Sequence, residues 1–276
     1  MFYANVSVFL GNGDGTFQPQ KCYEVGDWPE SIAVADFNGD GKADLAVANY
    51  GFSWHHGQTV SILLGNGDGT FQPQITTHTD RSLFFVAVGD FNGDTKVDLA
   101  ATNSGNNISV LLGNGDGTFQ TRKTYAVGTN PSFVAVADFN GDAKVDLAVA
   151  NSGSANVSVL LGNGDGTFQA KKNYVVGYRP NAVAVADLNG DGKADLAVAG
   201  SAGLTTLSGN GDGTFIRGNP SYSAGLSLSL APGDFNGDGK LDLAVPDADS
   251  NVLSIFINTT RPYPAAMAAG AANGPE

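Results

Sequence analysis

Short strand-like runs separated by polar turns recur along the whole chain. In one stretch they lie at 131–139, 145–151, 156–161 and 167–176, separated by an acidic loop, by SGSA and by NGDG. These runs are short for helices, and the Asn-Gly and Asp-Gly pairs between them favour tight hairpin turns. The pattern therefore predicts antiparallel strands joined in sequence order.

Two motifs alternate along the chain with a shared period. D-x-N-G-D-x-K-x-D begins at 36, 90, 138, 187 and 234, and GNGDGTF begins at 11, 65, 113, 162 and 209. Four antiparallel strands in a unit of this length are typical of a propeller blade. The second strands, with the pattern DLAVA, are apolar or small on both faces, as blades packed face to face require. We therefore predict an all-β propeller of four-stranded blades, with about five blades present.

Both ends carry incomplete repeats. The N-terminus supplies a third and a fourth strand, at 5–10 and 16–25, and the C-terminus supplies three strands that end at 254–258. Two arrangements fit this pattern: the N-terminal fourth strand could complete the last blade and close a five-bladed ring, or the chain could be part of a larger ring. We assign residues 1–258 to the propeller and residues 259–276, which lack a strand pattern, to a flexible tail.

The nine-residue acidic loop predicts a cation site. Side-chain oxygens at positions 1, 3, 5 and 9 and the backbone carbonyl at position 7 are hard ligands of the kind that calcium prefers. Asp and Asn also favour turns, but all five copies keep every acidic position. The expected ligands, with each lysine acting through its carbonyl, are Asp36, Asn38, Asp40, Lys42, Asp44; Asp90, Asn92, Asp94, Lys96, Asp98; Asp138, Asn140, Asp142, Lys144, Asp146; Asp187, Asn189, Asp191, Lys193, Asp195; and Asp234, Asn236, Asp238, Lys240, Asp242.

Position 6 of the loop divides the five copies. Glycine stands there in three of them, whereas Thr95 and Ala143 occupy it in the second and third copies. A turn of this kind favours a positive φ, which costs a residue other than glycine about 1 kcal/mol. We therefore predict up to five Ca²⁺ ions, with weaker sites at 90–98 and 138–146. The Asp of GNGDGTF is interpreted as a turn residue.

Charge and cysteine content narrow the function classes. The net charge is −13, and 27 residues are Asp or Glu against 14 Lys or Arg. Nucleic acids and anionic membranes attract basic surfaces, so neither is expected as a partner.

Cys22 is the single cysteine, which excludes a disulfide within the chain. No apolar run is long enough to span a membrane. The N-terminus lacks a signal-peptide pattern, and because it opens within a repeat we interpret it as the start of a fragment or mature piece.

The acidic loops and GNGDGTF turns resemble the FG-GAP/VCBS repeats of bacterial surface and secreted proteins, which are related to the propeller of integrin α subunits. The resemblance covers residues 5–258. It implies a calcium-binding propeller, usually of seven blades, that serves adhesion, carbohydrate binding or presentation of attached domains. It also implies a secreted or cell-surface location.

Candidate ligand-binding residues lie where the repeats differ. Strand alternation places the acidic loops and NGDG turns on one face, and the remaining loops on the other. An insertion at 50–58 and the loops before strands one carry aromatic and hydrogen-bonding groups, which sugar and protein ligands require. The candidates are Trp28, Tyr50, Trp54, His55, His56, Tyr178 and Arg179. For Trp54 the alternative is a plug packed against its own blade.

No catalytic motif of hydrolases, metalloproteases or phosphate-binding enzymes occurs in the sequence. We therefore expect a non-catalytic, monomeric module that binds an extracellular glycan or protein. Two alternatives stay open: a structural spacer attached to a catalytic domain elsewhere, and a lectin-like polysaccharide-active protein.

Overall fold

The structure is a computed structural model that describes residues 4–51, 58–79, 82–218, 222 and 225–260. These residues form 21 strands, all paired antiparallel. In the part of the chain that is described, no helix is long and apolar enough to cross a membrane.

The strands group into six sheets, and we name each sheet here. The half-blade is β1 (Asn5–Val8) and β2 (Lys21–Glu24). Blade A is β3 (Pro29–Ala35), β4 (Asp44–Asn49), β5 (Thr59–Leu63) and β6 (Ile75–His78), and blade B is β7 (Leu83–Gly89), β8 (Asp98–Asn103), β9 (Asn107–Leu111) and β10 (Lys123–Ala126). Blade C is β11 (Pro131–Ala137), β12 (Asp146–Asn151), β13 (Asn156–Leu160) and β14 (Lys172–Val175). Blade D is β15 (Pro180–Ala186), β16 (Asp195–Gly200), β17 (Gly203–Gly209) and β18 (Phe215–Arg217), and blade E is β19 (Ala231–Gly233), β20 (Asp242–Asp247) and β21 (Val252–Phe256).

These sheets confirm the predicted propeller of four-stranded antiparallel blades. Each complete blade runs in sequence order from its first to its fourth strand. First strands of successive blades contact one another, so they form the inner wall. Every residue of the second strands β4, β8, β12 and β16 is buried. The small and apolar pattern DLAVA produces this burial because each second strand is covered on both faces.

The fourth strands are shorter than predicted. In blade C the strand begins at Lys172, and Phe168 forms only an isolated bridge to Gly162. At the chain ends, β2 pairs with β1 and β21 pairs with β20. Among the described residues the N-terminal strand therefore does not complete blade E, and a five-bladed ring is not closed by strand pairing.

An aromatic contact repeats between successive blades. The Phe at position 2 of one acidic loop packs edge-on against the Phe of the next blade's GNGDGTF turn. The pairs are Phe37–Phe119 at 6.0 Å, Phe91–Phe168 at 5.7 Å and Phe139–Phe215 at 5.5 Å between ring centroids. The backbone joins the same blades, since Gly166 N donates to the Phe91 carbonyl at 2.9 Å. This contact fixes how neighbouring acidic loops are spaced.

Candidate metal loops and the opposite loop face

The acidic loop of blade C shows how each loop is organised. It folds around the carboxylate at position 1, Asp138. Oδ1 of Asp138 accepts hydrogen bonds from the backbone N–H groups of Asn140 at 3.2 Å, Gly141 at 2.7 Å and Asp142 at 3.3 Å. Oδ2 accepts one from Ala143 at 2.8 Å. The same pattern recurs at Asp36, Asp90, Asp187 and Asp234. The position-1 carboxylate therefore shapes the turn.

The carboxylate at position 9 is buried and links two turns. Oδ2 of Asp146 accepts a hydrogen bond from Phe139 N at 2.8 Å, and Oδ1 accepts one from Gly162 N at 2.7 Å. Asp44, Asp98 and Asp195 make the equivalent bonds. In blade E, which has no GNGDGTF turn, Asp242 accepts from Asn258 N at 2.7 Å instead. Because Gly162 begins the GNGDGTF turn, these bonds show that the two kinds of turn lie together, as predicted.

The carboxylates within one loop repel each other. Burial raises the pKa of Asp98, although the N–H groups of Gly113 and Phe91 oppose this rise; the charges of Asp94 and Asp90 raise it further. The pKa values of Asp146 and Asp195 are raised by the same causes in their own loops. A bound cation would relieve both the desolvation and the repulsion.

The oxygen atoms of each loop are of the kind that calcium prefers, but in the structure they are engaged in hydrogen bonds and ion pairs and do not surround a common centre. At position 3 Asn140 Oδ1 accepts from Asp142 N at 3.1 Å, and at position 5 Asp142 Oδ2 lies 3.5 Å from Lys144 Nζ. Within the described ranges, no group of three or more His, Cys, Asp or Glu side chains is close enough to hold a metal ion. Hard oxygen ligands are nevertheless all present in each loop. A cation would therefore compete with hydrogen bonds inside the loop and with the position-7 lysine.

Position 6 has a positive φ in every copy. The angles are 78° at Gly41, 67° at Thr95, 62° at Ala143, 80° at Gly192 and 81° at Gly239. The conformation expected from the sequence is thus present in all five loops, and Thr95 and Ala143 carry its cost. The lower calcium affinity of those two loops stays a prediction.

The Asp of each GNGDGTF motif serves its own turn. Asp116 Oδ1 accepts hydrogen bonds from the backbone N–H of Thr118 at 2.9 Å and from its hydroxyl. These bonds lower the pKa of Asp116, the hydroxyl bond having the larger effect. The same arrangement occurs at Asp14, Asp68, Asp165 and Asp212. These carboxylates fit the predicted turn role.

On the opposite face, aromatic side chains from blades A and B form a cluster. The ring centroids of Trp28 and Tyr50 are 6.4 Å apart, and those of Tyr50 and Phe84 are 5.1 Å apart. Trp28 is 52% exposed and has a φ of 53°. Its carbonyl accepts a hydrogen bond from Tyr50 N at 2.8 Å, which joins the two loops. We call Trp28, Tyr50 and Phe84 the aromatic cluster.

The sequence does not single out Phe84, because this residue lies in a strand pattern beside Phe85. The pairing of β7 with β8 shifts register between Leu83 and Phe85, which places Phe84 in a bulge. Bulges redirect single side chains. The same shift recurs at the start of β3, β11 and β15.

The remaining candidates lie apart from this cluster or outside the described residues. Tyr178 and Arg179 precede blade D; Tyr178 is 67% exposed and Arg179 has a φ of 49°. Asn130, before blade C, has a φ of 50°. One strained backbone conformation therefore displays a different side chain before blades A, C and D. Trp54, His55 and His56 lie outside the described residues.

Comparisons with known proteins identify the repeats and the fold. A family model described as an FG-GAP-like repeat matches residues 2–47, 90–149, 138–198 and 187–245, and an FG-GAP repeat model matches 28–70. No curated protein sequence matches the chain.

Solved structures of low sequence identity share the fold. A lectin from Agrocybe aegerita that recognises non-reducing terminal N-acetylglucosamine is 22% identical, with a TM-score of 0.57, over 93% of this chain and 75% of the lectin. BBS1N, in complex with ARL6DN, is 15% identical with a TM-score of 0.60, over 93% and 83% of the two chains. The V. cholerae biofilm matrix protein Bap1 is 19% identical with a TM-score of 0.52, over 84% of this chain and 37% of Bap1.

The likeness to these structures supports a propeller, and the two repeat models together match well over half of the sequence. The chain therefore belongs to the FG-GAP repeat family.

Proposed function

We propose that this chain is a non-catalytic, calcium-binding propeller module of a secreted or surface protein. In this proposal the loops opposite the acidic loops bind an extracellular glycan or protein. The observation that carries it is the aromatic cluster, in which a half-exposed Trp28 stands in a strained backbone conformation and packs beside Tyr50.

Strain of this kind supports a binding role. A positive φ is unfavourable for a bulky side chain such as tryptophan, and backbone strain concentrates at ligand clamps and active sites. Exposed indole and phenol rings offer flat apolar surfaces with a polar edge, which suits both sugar rings and protein side chains. The fold is shared with a lectin and with a biofilm matrix protein, and this likeness is compatible with either a glycan or a protein ligand.

The acidic loops supply the calcium part of the proposal. In each loop the side chains at positions 1, 3, 5 and 9 and the carbonyl at position 7 would hold the ion. Bound calcium supplies positive charge that offsets the carboxylates and cross-links the loop. The position-9 carboxylate already connects the acidic loop to the GNGDGTF turn, so this face of the blade is held rigid.

A thermal unfolding experiment tests calcium binding. Chelator-treated protein is compared with protein in calcium and in magnesium. Since the ion binds the folded chain, each site at a hundred times its dissociation constant should add about 2.7 kcal/mol to the free energy of unfolding. We therefore expect the midpoint temperature to rise with calcium. Magnesium should give a much smaller rise. An unchanged midpoint in calcium would mean that the loops serve only as turns.

A binding screen tests the ligand part. Glycans and matrix proteins are screened by tryptophan fluorescence and by immobilised-ligand binding, and positive results are repeated with Trp28→Ala. We expect Trp28→Ala to lose binding, whereas the control Val175→Ala, at an exposed position on β14, retains it. If ligands bind equally well to both variants, the aromatic cluster is not the site; if no ligand is found, the spacer alternative is favoured.

The non-catalytic assignment needs its own assay. Polysaccharides incubated with calcium-loaded protein should release no product. Reproducible turnover that is retained in repeated, independent preparations would contradict the proposal and favour the polysaccharide-active alternative.

A further inference from the structure

Two kinds of Asn-Gly pair repeat along the chain. The acidic loop carries one at positions 3 and 4, and the GNGDGTF turn carries one at its second and third residues. In blade C these pairs are Asn140-Gly141 and Asn163-Gly164. Both glycines have a positive φ, 74° at Gly141 and 79° at Gly164. The two pairs therefore share a sequence and a glycine conformation, and they differ in their hydrogen bonds.

Asn-Gly is the dipeptide in which an asparagine side chain most readily loses ammonia. The backbone nitrogen of the glycine gives its proton to a solvent base and bonds to Cγ of the asparagine, and Nδ2 takes a proton from water and leaves as ammonia. Water then opens the cyclic imide. Breaking the new Cγ–N bond gives aspartate, and breaking the original backbone C–N bond gives isoaspartate. Glycine favours this reaction because it has no side chain to obstruct its nitrogen.

In the acidic loop a carboxylate holds the attacking nitrogen. Gly141 N donates to Asp138 Oδ1 at 2.7 Å. The same bond, at 2.7 or 2.8 Å, is made by Gly39, Gly93, Gly190 and Gly237. Ring closure must break this charge-assisted bond and form an anion beside a carboxylate. The acidic loop therefore opposes the reaction twice.

In the GNGDGTF turn the attacking nitrogen is free. Among the described residues, none accepts a hydrogen bond from the backbone N–H of the third turn residue in blades A to D, which is Gly67, Gly115, Gly164 or Gly211. The asparagine before each of these glycines is exposed. Its Nδ2 donates to a threonine hydroxyl, as from Asn163 to Thr167 at 2.8 Å. This bond occupies the leaving nitrogen and not Cγ, the atom under attack.

The second glycine of the same turn gives a contrast. Gly166 N donates to the Phe91 carbonyl of the preceding blade at 2.9 Å. The Asp165-Gly166 pair is therefore held by the fold, whereas the Asn163-Gly164 pair two residues earlier is not.

We propose that Asn66, Asn114, Asn163 and Asn210 are sites of spontaneous deamidation in the folded protein, and that the position-1 carboxylates protect the Asn-Gly pairs of the acidic loops. Each event adds one negative charge beside the glycine over which the position-7 lysine packs. In blade C a Cβ at Gly164 would lie 3.0 Å from Cδ of Lys144. The modification therefore collects in the turns and leaves the acidic loops unchanged.

Peptide mapping tests the proposal within one sample. Folded protein is incubated in warm, mildly alkaline buffer with chelator, so that bound calcium cannot protect either kind of pair. Trypsin cleaves after the position-7 lysines and after Arg81, Arg122, Lys171 and Arg217, which places the two kinds of pair on separate peptides. Mass spectrometry then follows the deamidated fraction of each peptide over time. We expect the turn sites to react at least about tenfold faster, the factor that corresponds to losing a hydrogen bond to a charged group.

Unfolding is the first control. In urea neither kind of pair keeps its hydrogen bonds, so the turn sites and the acidic-loop sites should react at similar rates.

Variants at Asp138 are the second control. Asp138→Ala removes the acceptor of Gly141 N, and Asn140 should then react as fast as Asn163. Asp138→Asn keeps an acceptor oxygen without the charge and should give an intermediate rate. The equivalent asparagines of blades B and D, in the same molecule, should stay slow. Asp165→Ala, which removes a carboxylate from an exposed turn, should leave Asn140 slow as well.

Three results would overturn the proposal. If the acidic-loop sites react as fast as the turn sites, or faster, the position-1 carboxylate does not protect and acts instead as a base. If the folded protein stays unmodified while the urea sample reacts, the turns are protected too. If Asn140 stays slow in Asp138→Ala, its protection has another cause.

Discussion

The two faces of the propeller are built from the same repeats, but the loops of one face are nearly constant in sequence and the loops of the other face vary. On one face, each blade from A to E repeats the same acidic loop with the same hydrogen bonds to Asp138 and its equivalents. On the other, one backbone conformation presents Trp28, Asn130 or Arg179. The acidic face is constant because its position-1 carboxylates shape the turns and its position-9 carboxylates, such as Asp146, accept hydrogen bonds from buried backbone N–H groups. The opposite face is free to differ because its variable side chains point away from those bonds.

The strongest test of this comparison removes a position-9 carboxylate. Asp146→Ala leaves the buried N–H groups of Phe139 and Gly162 without their acceptor. We expect a loss of about 3 kcal/mol in the free energy of unfolding, measured by urea titration in chelator. Asp165→Ala is the control, since Asp165 bonds only within its own exposed turn; its loss should be below about 1 kcal/mol. Equal losses in the two variants would show that the buried hydrogen bonds of Asp146 contribute no more to stability than the exposed bonds of Asp165.

A second test relieves strain on the acidic face. Thr95→Gly keeps the N–H that donates to Asp90 Oδ2 and removes a β-branched side chain from a φ of 67°. We expect a gain of about 1 kcal/mol in urea titration and tighter calcium binding by calorimetry. Gly41→Thr is the matched reverse change, because nothing crowds a side chain at Gly41. If Gly41→Thr changes neither the free energy of unfolding nor the calcium affinity, backbone strain at position 6 does not explain any difference between the loops.

A third test separates metal binding from folding. Asp142 is partly exposed and paired with Lys144 at 3.5 Å. Asp142→Asn should therefore change stability in chelator by less than about 0.5 kcal/mol. By calorimetry the variant should bind one calcium ion fewer than the unchanged protein. Full stoichiometry in the variant would remove position 5 from the ligand set.

The smallest effect on stability is expected on the opposite face. Trp28→Asn introduces the residue that blade C carries at the equivalent position, and Asn tolerates a positive φ better than Trp does. We expect a change within about 0.5 kcal/mol and an unchanged calcium response, with ligand binding lost. A large loss of stability would show that Trp28 is structural, and that the two faces are less independent than their contacts indicate.

The strands and the shared face of the two turns were predictable because both depend on local chemistry. Asn-Gly and Asp-Gly specify hairpins, and strand alternation then decides which loops lie together. The bulge that places Phe84 against Tyr50 was not predictable, since Leu83, Phe84 and Phe85 form one unbroken apolar run. The second role of Asp146 was also hidden, because its partner Gly162 lies 16 residues away and carries no side chain to mark the contact.

The repeated Phe contact also has a consequence for how such a chain can change length. Phe91 meets Phe168, and Phe139 meets Phe215, in nearly the same geometry. Cutting out residues 138–186 would bring the loop that starts at Asp187 directly after the strand that now precedes Asp138, with equivalent residues at the junction. Genes that encode such chains can therefore gain or lose a unit by recombination between identical positions, without any need to redesign the surfaces on either side of the join.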